Sequence, residues 1–279
     1  MYYFLYAIAL VSLSQASVII RWSATDPLIL GAWRLFFAGT ILWVWSQWKR
    51  PQERVTSKDR RKIMAAGFAF FVHLFSYAYA AHHTSISHLM LIFSLNPVTT
   101  AMGAWLFFKE KMTLRQGLAY LFALLGIYIL AREKQGTTQI EGDIMAIVAA
   151  MTFSAYALLS KWARRDLSNS VFASRMYFAG SFFFIVAIAL TGTSLTPEEG
   201  RGWTGVGLLT LFPTLLGHGI FTLTLRHIPL HVLSLGKLIE PGLAAISAFF
   251  LFNEALSEAA LTSSVLIVGA VVLVIFKKQ

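Results

Sequence analysis

The stretch LIEPGLAAISAFFLFNE, residues 238–254, is the most informative about the fold, because SLNPVTTAMGAWLFFKE at residues 94–110 follows the same pattern earlier in the chain. Aligned with one constant offset, the two stretches share five positions: Pro97 and Pro241, Ala101 and Ala245, Ala104 and Ala248, Phe108 and Phe252, and Glu110 and Glu254. The first four pairs recur at intervals of four, three and four residues, which places them on one face of an α-helix. We therefore predict a duplicated helix that presents the same face twice.

The composition predicts an integral membrane protein. Hydrophobic residues make up 57% of the 279 residues and charged residues only 13%, against about 25% charged residues in an ordinary soluble domain. A membrane-spanning helix needs about 20 predominantly apolar residues. We predict an all-α membrane protein with ten transmembrane helices, at residues 2–20, 28–48, 62–82, 86–107, 114–131, 143–162, 171–191, 203–225, 231–252 and 260–276.

Two weaker matches extend the duplication beyond the proline-containing helices. WRLFFAG at residues 33–39 is similar to SRMYFAG at residues 174–180, and Ser14 corresponds to Ser154. We predict two five-helix repeats, the first covering residues 1–135 and the second residues 136–279. Because five is an odd number, the second repeat would enter the membrane from the opposite side, and such inverted repeats are typical of secondary transporters.

The positive charges predict the orientation. Cytoplasmic loops of membrane proteins are rich in Lys and Arg. The loop KRPQERVTSKDRRK at residues 49–62 is strongly basic, and most of the chain's 23 Lys and Arg residues fall on that side of the predicted topology. We expect both termini in the cytoplasm and a multi-pass protein of the bacterial inner (plasma) membrane. The net charge of +10 is thereby explained, so we expect no nucleic-acid partner.

The repeated pattern resembles a known family. The segment LFFKEKMTLRQGLAYLFALLGIYIL at residues 106–130, its counterpart at residues 249–275, and GAWRLFFAG at residues 31–39 are similar to the paired EamA domains of the drug/metabolite transporter superfamily. The resemblance covers nearly the whole chain. It implies a ten-helix transporter of amino acids, other metabolites or toxic compounds, and it leaves the substrate open.

The two repeated prolines predict a cavity in the middle of the membrane. Pro97 and Pro241 lie near the centres of their predicted helices, and each removes a backbone donor and frees the carbonyl four residues earlier, at Phe93 and at Lys237. Polar backbone at that depth is tolerated only against protein or water. We therefore expect both breaks to border a substrate-binding cavity.

Glu240 is the main candidate for substrate binding or proton coupling. An ionised carboxylate at the centre of a spanning helix costs at least about 2.5–3.5 kcal/mol, so it has to pair, take up a proton or face water. Lys237 lies three residues earlier, close enough to form an ion pair. The pair either lines the cavity, facing a substrate ammonium and a carboxylate, or only neutralises itself within the packing. Asn96 stands where the second repeat has Glu240, and would supply neutral hydrogen bonds.

Further candidates are less sharply defined by the sequence. Arg34 and its repeat partner Arg175 are expected either to extend to the membrane surface as anchors or to form gates. His73 and His218 are candidate proton relays. Aromatic side chains are expected in the walls of an apolar pocket, among them Tyr77 and Trp105. The spacing in HHTSISH does not place histidines on one helical face, and the chain has no cysteine, so we expect no metal site and no cofactor.

These features favour a secondary transporter, an exporter of small amphipathic metabolites such as amino acids that works by alternating access of the two repeats. The alternative is an integral-membrane enzyme or a scaffold subunit without transport activity. An enzyme is not expected, because the sequence contains no HExxH, GxSxG or P-loop motif. The expected partners are a small-molecule metabolite and the lipid bilayer, with protons and a second copy of the chain as further candidates.

Overall fold

The structure is a computed structural model that describes residues 1–49, 53–131, 140–197, 199–253 and 258–275. Within those ranges the chain forms helices and no β-strand. Helical elements that continue one another across a short break share one label. The resulting helices are α1 (Tyr2–Ser23), α2 (Pro27–Lys49), α3 (Ser57–His83), α4 (Ile86–Phe108), α5 (Leu114–Ala131), α6 (Ile140–Ala163), α7 (Asn169–Thr191), α8 (Arg201–Thr224), α9 (Leu230–Phe252) and α10 (Glu258–Ile275).

Eight of these helices, all except α5 and α10, are long and apolar enough to cross a membrane, so the chain is a multi-pass membrane protein. Helices α5 and α10 have 18 residues each and overlap the predicted spans 114–131 and 260–276. The count of ten crossings stays a prediction.

One predicted boundary is wrong for a local reason. Helix α3 begins at Ser57 rather than at residue 62 because Thr56 and Asp59 form a capping box. The Thr56 hydroxyl accepts from the Asp59 amide at 3.2 Å, and the Asp59 carboxylate accepts from the Thr56 amide at 3.0 Å. The box supplies hydrogen-bond partners for amides at the start of the helix, so the charged residues that follow are helical.

Four helices are interrupted near their middle. Helix α1 breaks at Gln15, α4 breaks between Phe93 and Asn96, and α9 contains a 3₁₀ turn at Lys237–Ile239. Helix α8 passes through a π-helical segment, Thr210–Gly219. The breaks bring polar groups to the centre of an otherwise apolar bundle.

The carbonyls of Phe93 and Lys237, which the sequence predicts to be free, both accept hydrogen bonds. Pro97 and Pro241 do not lie inside a continuous helix but in the first turn of a new one, where a missing amide hydrogen costs little. The Asn96 side-chain amide donates to the Phe93 carbonyl at 2.8 Å, and the Glu240 backbone amide donates to the Lys237 carbonyl. Both breaks are therefore closed by their own hydrogen bonds.

Helices from the first half of the chain pack against helices from the second half. Corresponding helices contact each other in the pairs α2 with α7 and α5 with α10. Helices α3 and α4 pack on α6, and in the same way α8 and α9 pack on α1. Small residues allow the close approaches, since a Cβ atom added to Gly67 of α3 would lie 2.6 Å from Ala179 of α7.

The outer surface is apolar, as a bilayer requires. Trp48 is 77% exposed and Phe250 is 74% exposed, and both belong to helices long enough to span a membrane. The buried polar residues lie instead inside the bundle, among them Arg34, His73 and Glu240. Membrane-embedded charges that face the protein interior are rare and usually functional.

Candidate functional site

A small cavity lies at the centre of the bundle, beside the breaks in α1, α4 and α9 and the π-helical segment of α8. Seven helices contribute to its lining, which consists of Leu13, Ala16, Arg34, His73, Leu74, Tyr77, Phe93, Phe153, Pro213, His218, Lys237 and Glu240. Its volume is about 20 Å³, which is room for about one water molecule. In this conformation the cavity is too small for a metabolite.

Lys237 and Glu240 form an ion pair in the cavity wall. The ammonium of Lys237 donates to the carboxylate of Glu240 at 2.5 Å, and the two residues are 4% and 3% exposed. The ammonium also lies 4.4 Å from the centroid of the Phe153 ring, a favourable cation–π geometry. The turn that breaks α9 places both side chains on the cavity side, so the pair neutralises itself and borders the cavity at once.

Asn96 occupies the corresponding place in the first repeat without lining the cavity. Its side-chain oxygen is buried and has no hydrogen-bond partner among the described residues. Its backbone carbonyl accepts from the Ser154 hydroxyl at 3.2 Å, and Ser154 also bonds to Thr99 and Thr100 at 2.6 and 2.9 Å. The first break is thus surrounded by neutral hydrogen bonds.

Two histidines meet across the cavity. The ring centroids of His73 and His218 are 5.9 Å apart. The Nδ1 atom of His73 lies 3.0 Å from the Ala149 carbonyl, whereas Nδ1 of His218 is buried and has no partner in the described part of the chain. His218 belongs to the π-helical segment, and such segments are frequent at functional sites.

The anchor interpretation of Arg34 is wrong. Arg34 is 3% exposed and lines the cavity, because α2 packs against α7 and the π-helical segment of α8 and its side chain turns inward. Its repeat partner Arg175 is only partly buried, donates to the Val171 carbonyl at 3.3 Å and is not part of the cavity lining. The two arginines therefore have different surroundings.

The two aromatic candidates, Tyr77 and Trp105, also lie in different surroundings. Tyr77 is 5% exposed and lines the cavity, and its hydroxyl donates to the Met90 sulfur at 2.9 Å. Trp105 is not part of the lining: it is 60% exposed on the outside of α4. Its position on the helix points it away from the packed neighbours, which the aromatic character of the residue could not reveal.

Sequence reasoning missed a role for Glu110, although its place in the repeated pattern was a signal. The Glu110 carboxylate accepts from Lys161 of α6, from the His231 ring at 2.8 Å and from the backbone amides of His231 and Leu230 at 3.2 and 3.3 Å. Burial raises the pKa of Glu110, but the hydrogen bonds from His231 and Lys161 and the charge of Lys161 outweigh it and lower the pKa to about 2. Glu110 thereby ties the ends of α4 and α6 to the start of α9.

The counterpart of Glu110, Glu254, lies outside the described residues. Both ends of the bundle nevertheless show contacts between helices. At the end that holds Glu110, Lys62 pairs with Asp166 at 2.6 Å. At the opposite end His88 lies 3.0 Å from Asp143. Polar contacts therefore link elements of the bundle at both of its ends.

A metal site is not indicated by the geometry. Among the residues that the structure describes, no group of three or more His, Asp or Glu side chains is placed to hold a metal ion. The polar groups of the cavity are instead two cations, one carboxylate, two imidazoles and a phenol. Such a set can bind a small charged or zwitterionic molecule by hydrogen bonds and ion pairs.

Comparisons with known proteins agree on the kind of protein. A family model described as the EamA-like transporter family matches residues 1–132 and 140–276. The uncharacterised transporter YojE of Bacillus subtilis is 23% identical over 81% of this chain and 75% of its own length. An uncharacterised transporter of Pseudomonas aeruginosa is 25% identical over 83% and 76%.

Two more comparisons cover almost the full length. An uncharacterised transporter of Archaeoglobus fulgidus is 23% identical over 94% of this chain and 92% of its own. A solved crystal structure with 18% identity has a TM-score of 0.79 and covers 97% of this chain and 94% of the other. At that identity the likeness to the crystal structure shows a common fold alone.

Proposed function

The chain belongs to the EamA-like transporter family, and on that premise we propose that it is a secondary transporter that exports small amphipathic metabolites, such as amino acids, through the central cavity. The observation that carries the proposal is the buried Lys237–Glu240 pair beside a break in α9. A buried ion pair contributes little net stability. Its place in the wall of a central cavity therefore favours a role in binding over a role in packing.

The mechanism that we propose is alternating access of two inverted five-helix repeats. This mechanism is supported by the packing of α3 and α4 on α6 and of α8 and α9 on α1. Two halves related by a two-fold axis in the membrane plane would pack in this way. The small cavity and the polar contacts toward both ends are consistent with a closed intermediate. Opening either end would separate one set of these contacts.

Within this mechanism we propose roles for several of the buried groups. Glu240 binds a substrate ammonium or a coupling proton when Lys237 moves away from it. His73 and His218, whose rings are 5.9 Å apart, relay protons, and Tyr77 forms part of the wall. Pro97 and Pro241 allow the backbone at the two breaks to change conformation. Arg175 acts as a gate outside the cavity.

The proposed topology places both termini in the cytoplasm of a bacterium, with ten crossings of the inner membrane. The basic residues at the end of the bundle that holds Glu110 support it. Lys62, Lys161, Arg164 and Arg226 all lie at that end, where α6 and α8 finish and α3 begins. Positive charge is expected on the cytoplasmic side.

The experiment is flux from vesicles. The purified protein is reconstituted into liposomes loaded with a mixture of isotope-labelled amino acids, organic acids, nucleosides and polyamines, and the loss of each compound is followed by mass spectrometry. We expect a chemically related group of compounds to leave faster than from protein-free vesicles. Glu240→Gln should slow that loss at least tenfold, because the variant removes the only carboxylate among the described lining residues.

The matched control is Glu258→Gln, which changes an exposed glutamate at the start of α10. It should leave flux unchanged. If no compound leaves faster than from protein-free vesicles, the transporter proposal fails. If Glu240→Gln transports as well as the wild type at every pH from 5 to 8, the protein remains a transporter but the role of Glu240 is wrong.

A further inference from the structure

The central cavity contains one positive charge more than its side chains neutralise. Lys237 and Glu240 compensate each other at 2.5 Å, and Arg34 is the remaining charged residue of the lining. Among the described residues, Arg34 takes part in no ion pair, and its buried Nε atom has no hydrogen-bond partner. The other polar side chains of the lining besides the ion pair are His73, Tyr77 and His218.

The surroundings of Arg34 make this imbalance significant. Arg34 is 3% exposed and its Nε atom is buried without a partner. A buried charge without a counter-ion is strongly unfavourable, and within a membrane protein such charges usually mark a path for substrates or ions. The planar guanidinium also has the geometry that binds a carboxylate through two parallel hydrogen bonds.

A second buried nitrogen without a partner belongs to another residue of the same lining. Nδ1 of His218 is buried and has no partner in the described residues, and His218 lines the cavity with Arg34. The two helices concerned are in contact, because the Thr210 hydroxyl at the start of the π-helical segment lies 3.5 Å from the Arg34 carbonyl. Adjacent helices thus present two nitrogens that an oxygen-bearing ligand could satisfy.

We propose that Arg34 binds the carboxylate of a monoanionic or zwitterionic substrate. One uncompensated positive charge matches one carboxylate better than a phosphate monoester, which carries a charge of about −1.5 to −2 at neutral pH. The inference rests on the proposed function, since it takes the same cavity as the substrate site. It replaces Lys237 by Arg34 as the partner of the substrate carboxylate.

The first test needs no ligand. The melting temperature of the purified full-length protein in detergent is compared with that of Arg34→Met. Replacing an unpaired buried cation by an apolar side chain of similar length should raise the melting temperature by at least about 2 °C. Arg60→Met, at an exposed position of α3, is the matched control and should leave it unchanged. A lower melting temperature for Arg34→Met would mean that the guanidinium has a structural partner, and would overturn the proposal.

The second test compares matched acids and amides at up to 100 mM: benzoate with benzamide, and L-phenylalanine with L-phenylalaninamide. In the wild type and in Arg60→Met, at least one acid should raise the melting temperature while its amide does not. The response should disappear in Arg34→Met and persist, weakened, in Arg34→Lys. Equal responses to acids and amides, no response to either acid, or a response that survives in Arg34→Met would each overturn the proposal.

The vesicle experiment separates this inference from the function on which it rests. If only cationic or uncharged compounds are transported, and Arg34→Met transports them like the wild type, the protein is a transporter and the carboxylate site is wrong. If nothing is transported, the proposed function fails. The melting experiments in detergent do not depend on transport and still decide whether Arg34 binds an anion.

Discussion

The two proline-containing breaks have the same backbone plan and different chemistry. In both, a proline occupies the first turn of a new helix, after Asn96 in α4 and after Glu240 in α9. The first break is closed by the Asn96 amide on the Phe93 carbonyl at 2.8 Å, and the second holds the Lys237–Glu240 ion pair. The comparison teaches that duplication of a fold can preserve a conformational break while charge is confined to one copy.

This asymmetry has a consequence for a two-fold mechanism. Two halves of a transporter can exchange conformations even when they carry different side chains, because the exchange depends on helix packing. Substrate chemistry depends instead on the side chains that reach the cavity. The first half contributes Arg34, His73 and Tyr77, and the second half contributes His218, Lys237 and Glu240. The polar lining of the cavity therefore differs between the two halves of the chain.

The largest effect is expected when the ion pair at the break in α9 is disrupted. Lys237→Met leaves Glu240 buried without its counter-ion, and the loss of one partner of a buried pair typically costs about 3–5 kcal/mol of stability. The double variant Lys237→Met with Glu240→Leu should recover most of that loss and remain inactive in flux. Thermal unfolding of the wild type, Lys237→Met and the double variant measures the loss of stability and its recovery, and the vesicle experiment measures flux. A double variant no more stable than Lys237→Met would show that the two side chains act independently.

A smaller effect is expected at the neutral break. Asn96→Leu removes the donor to the Phe93 carbonyl and leaves that buried group without its side-chain partner, at a cost of about 1–3 kcal/mol. Hydrogen exchange of the α4 backbone, measured by mass spectrometry, should increase locally around residues 90–100. Thr152→Val removes a hydroxyl on the neighbouring helix α6 that bonds within its own helix, and it serves as a control that should leave α4 unchanged. Equal protection in Asn96→Leu and the wild type would contradict the assigned hydrogen bond.

The smallest effect concerns Glu110, a carboxylate that belongs to the shared pattern. The pKa of Glu110 is lowered to about 2 in the folded protein, below its ordinary value in the unfolded chain. Its contribution to stability is therefore fully present above about pH 4.3 and is lost as the pH falls toward 2. We expect about 1 kcal/mol or less, since water screens part of the interaction.

Melting temperatures between pH 6 and pH 3 measure the Glu110 effect. The wild type should lose stability more steeply than Glu110→Gln as the pH falls, so that the difference between the two curves narrows toward pH 3. Glu258→Gln, at an exposed position, should follow the wild type. Parallel curves for the wild type and Glu110→Gln across the whole range would show that the carboxylate is not held ionised by Lys161 and His231.

Local features of the fold and of the site could be predicted from residues close together in the sequence. The apolar runs predicted the helices, and the spacing of Lys237 and Glu240 predicted that they could pair, because residues three apart lie on one face of a helix. The two prolines predicted the breaks, because proline cannot continue the hydrogen bonding of a helix. Each of these predictions depends on distances of a few residues.

Residue patterns along the chain were therefore enough to predict the helices, the family and the position of the ion pair, and the duplication stays a prediction. Helix packing was needed to show that Arg34 turns inward while Trp105 faces outward, and that Glu110 contacts His231, a residue far away in sequence. The physical reason is that a helix which is apolar on all sides gives no signal for its inner face. That face is chosen by the close packing of neighbouring helices, as where α2 packs against α7 and α8.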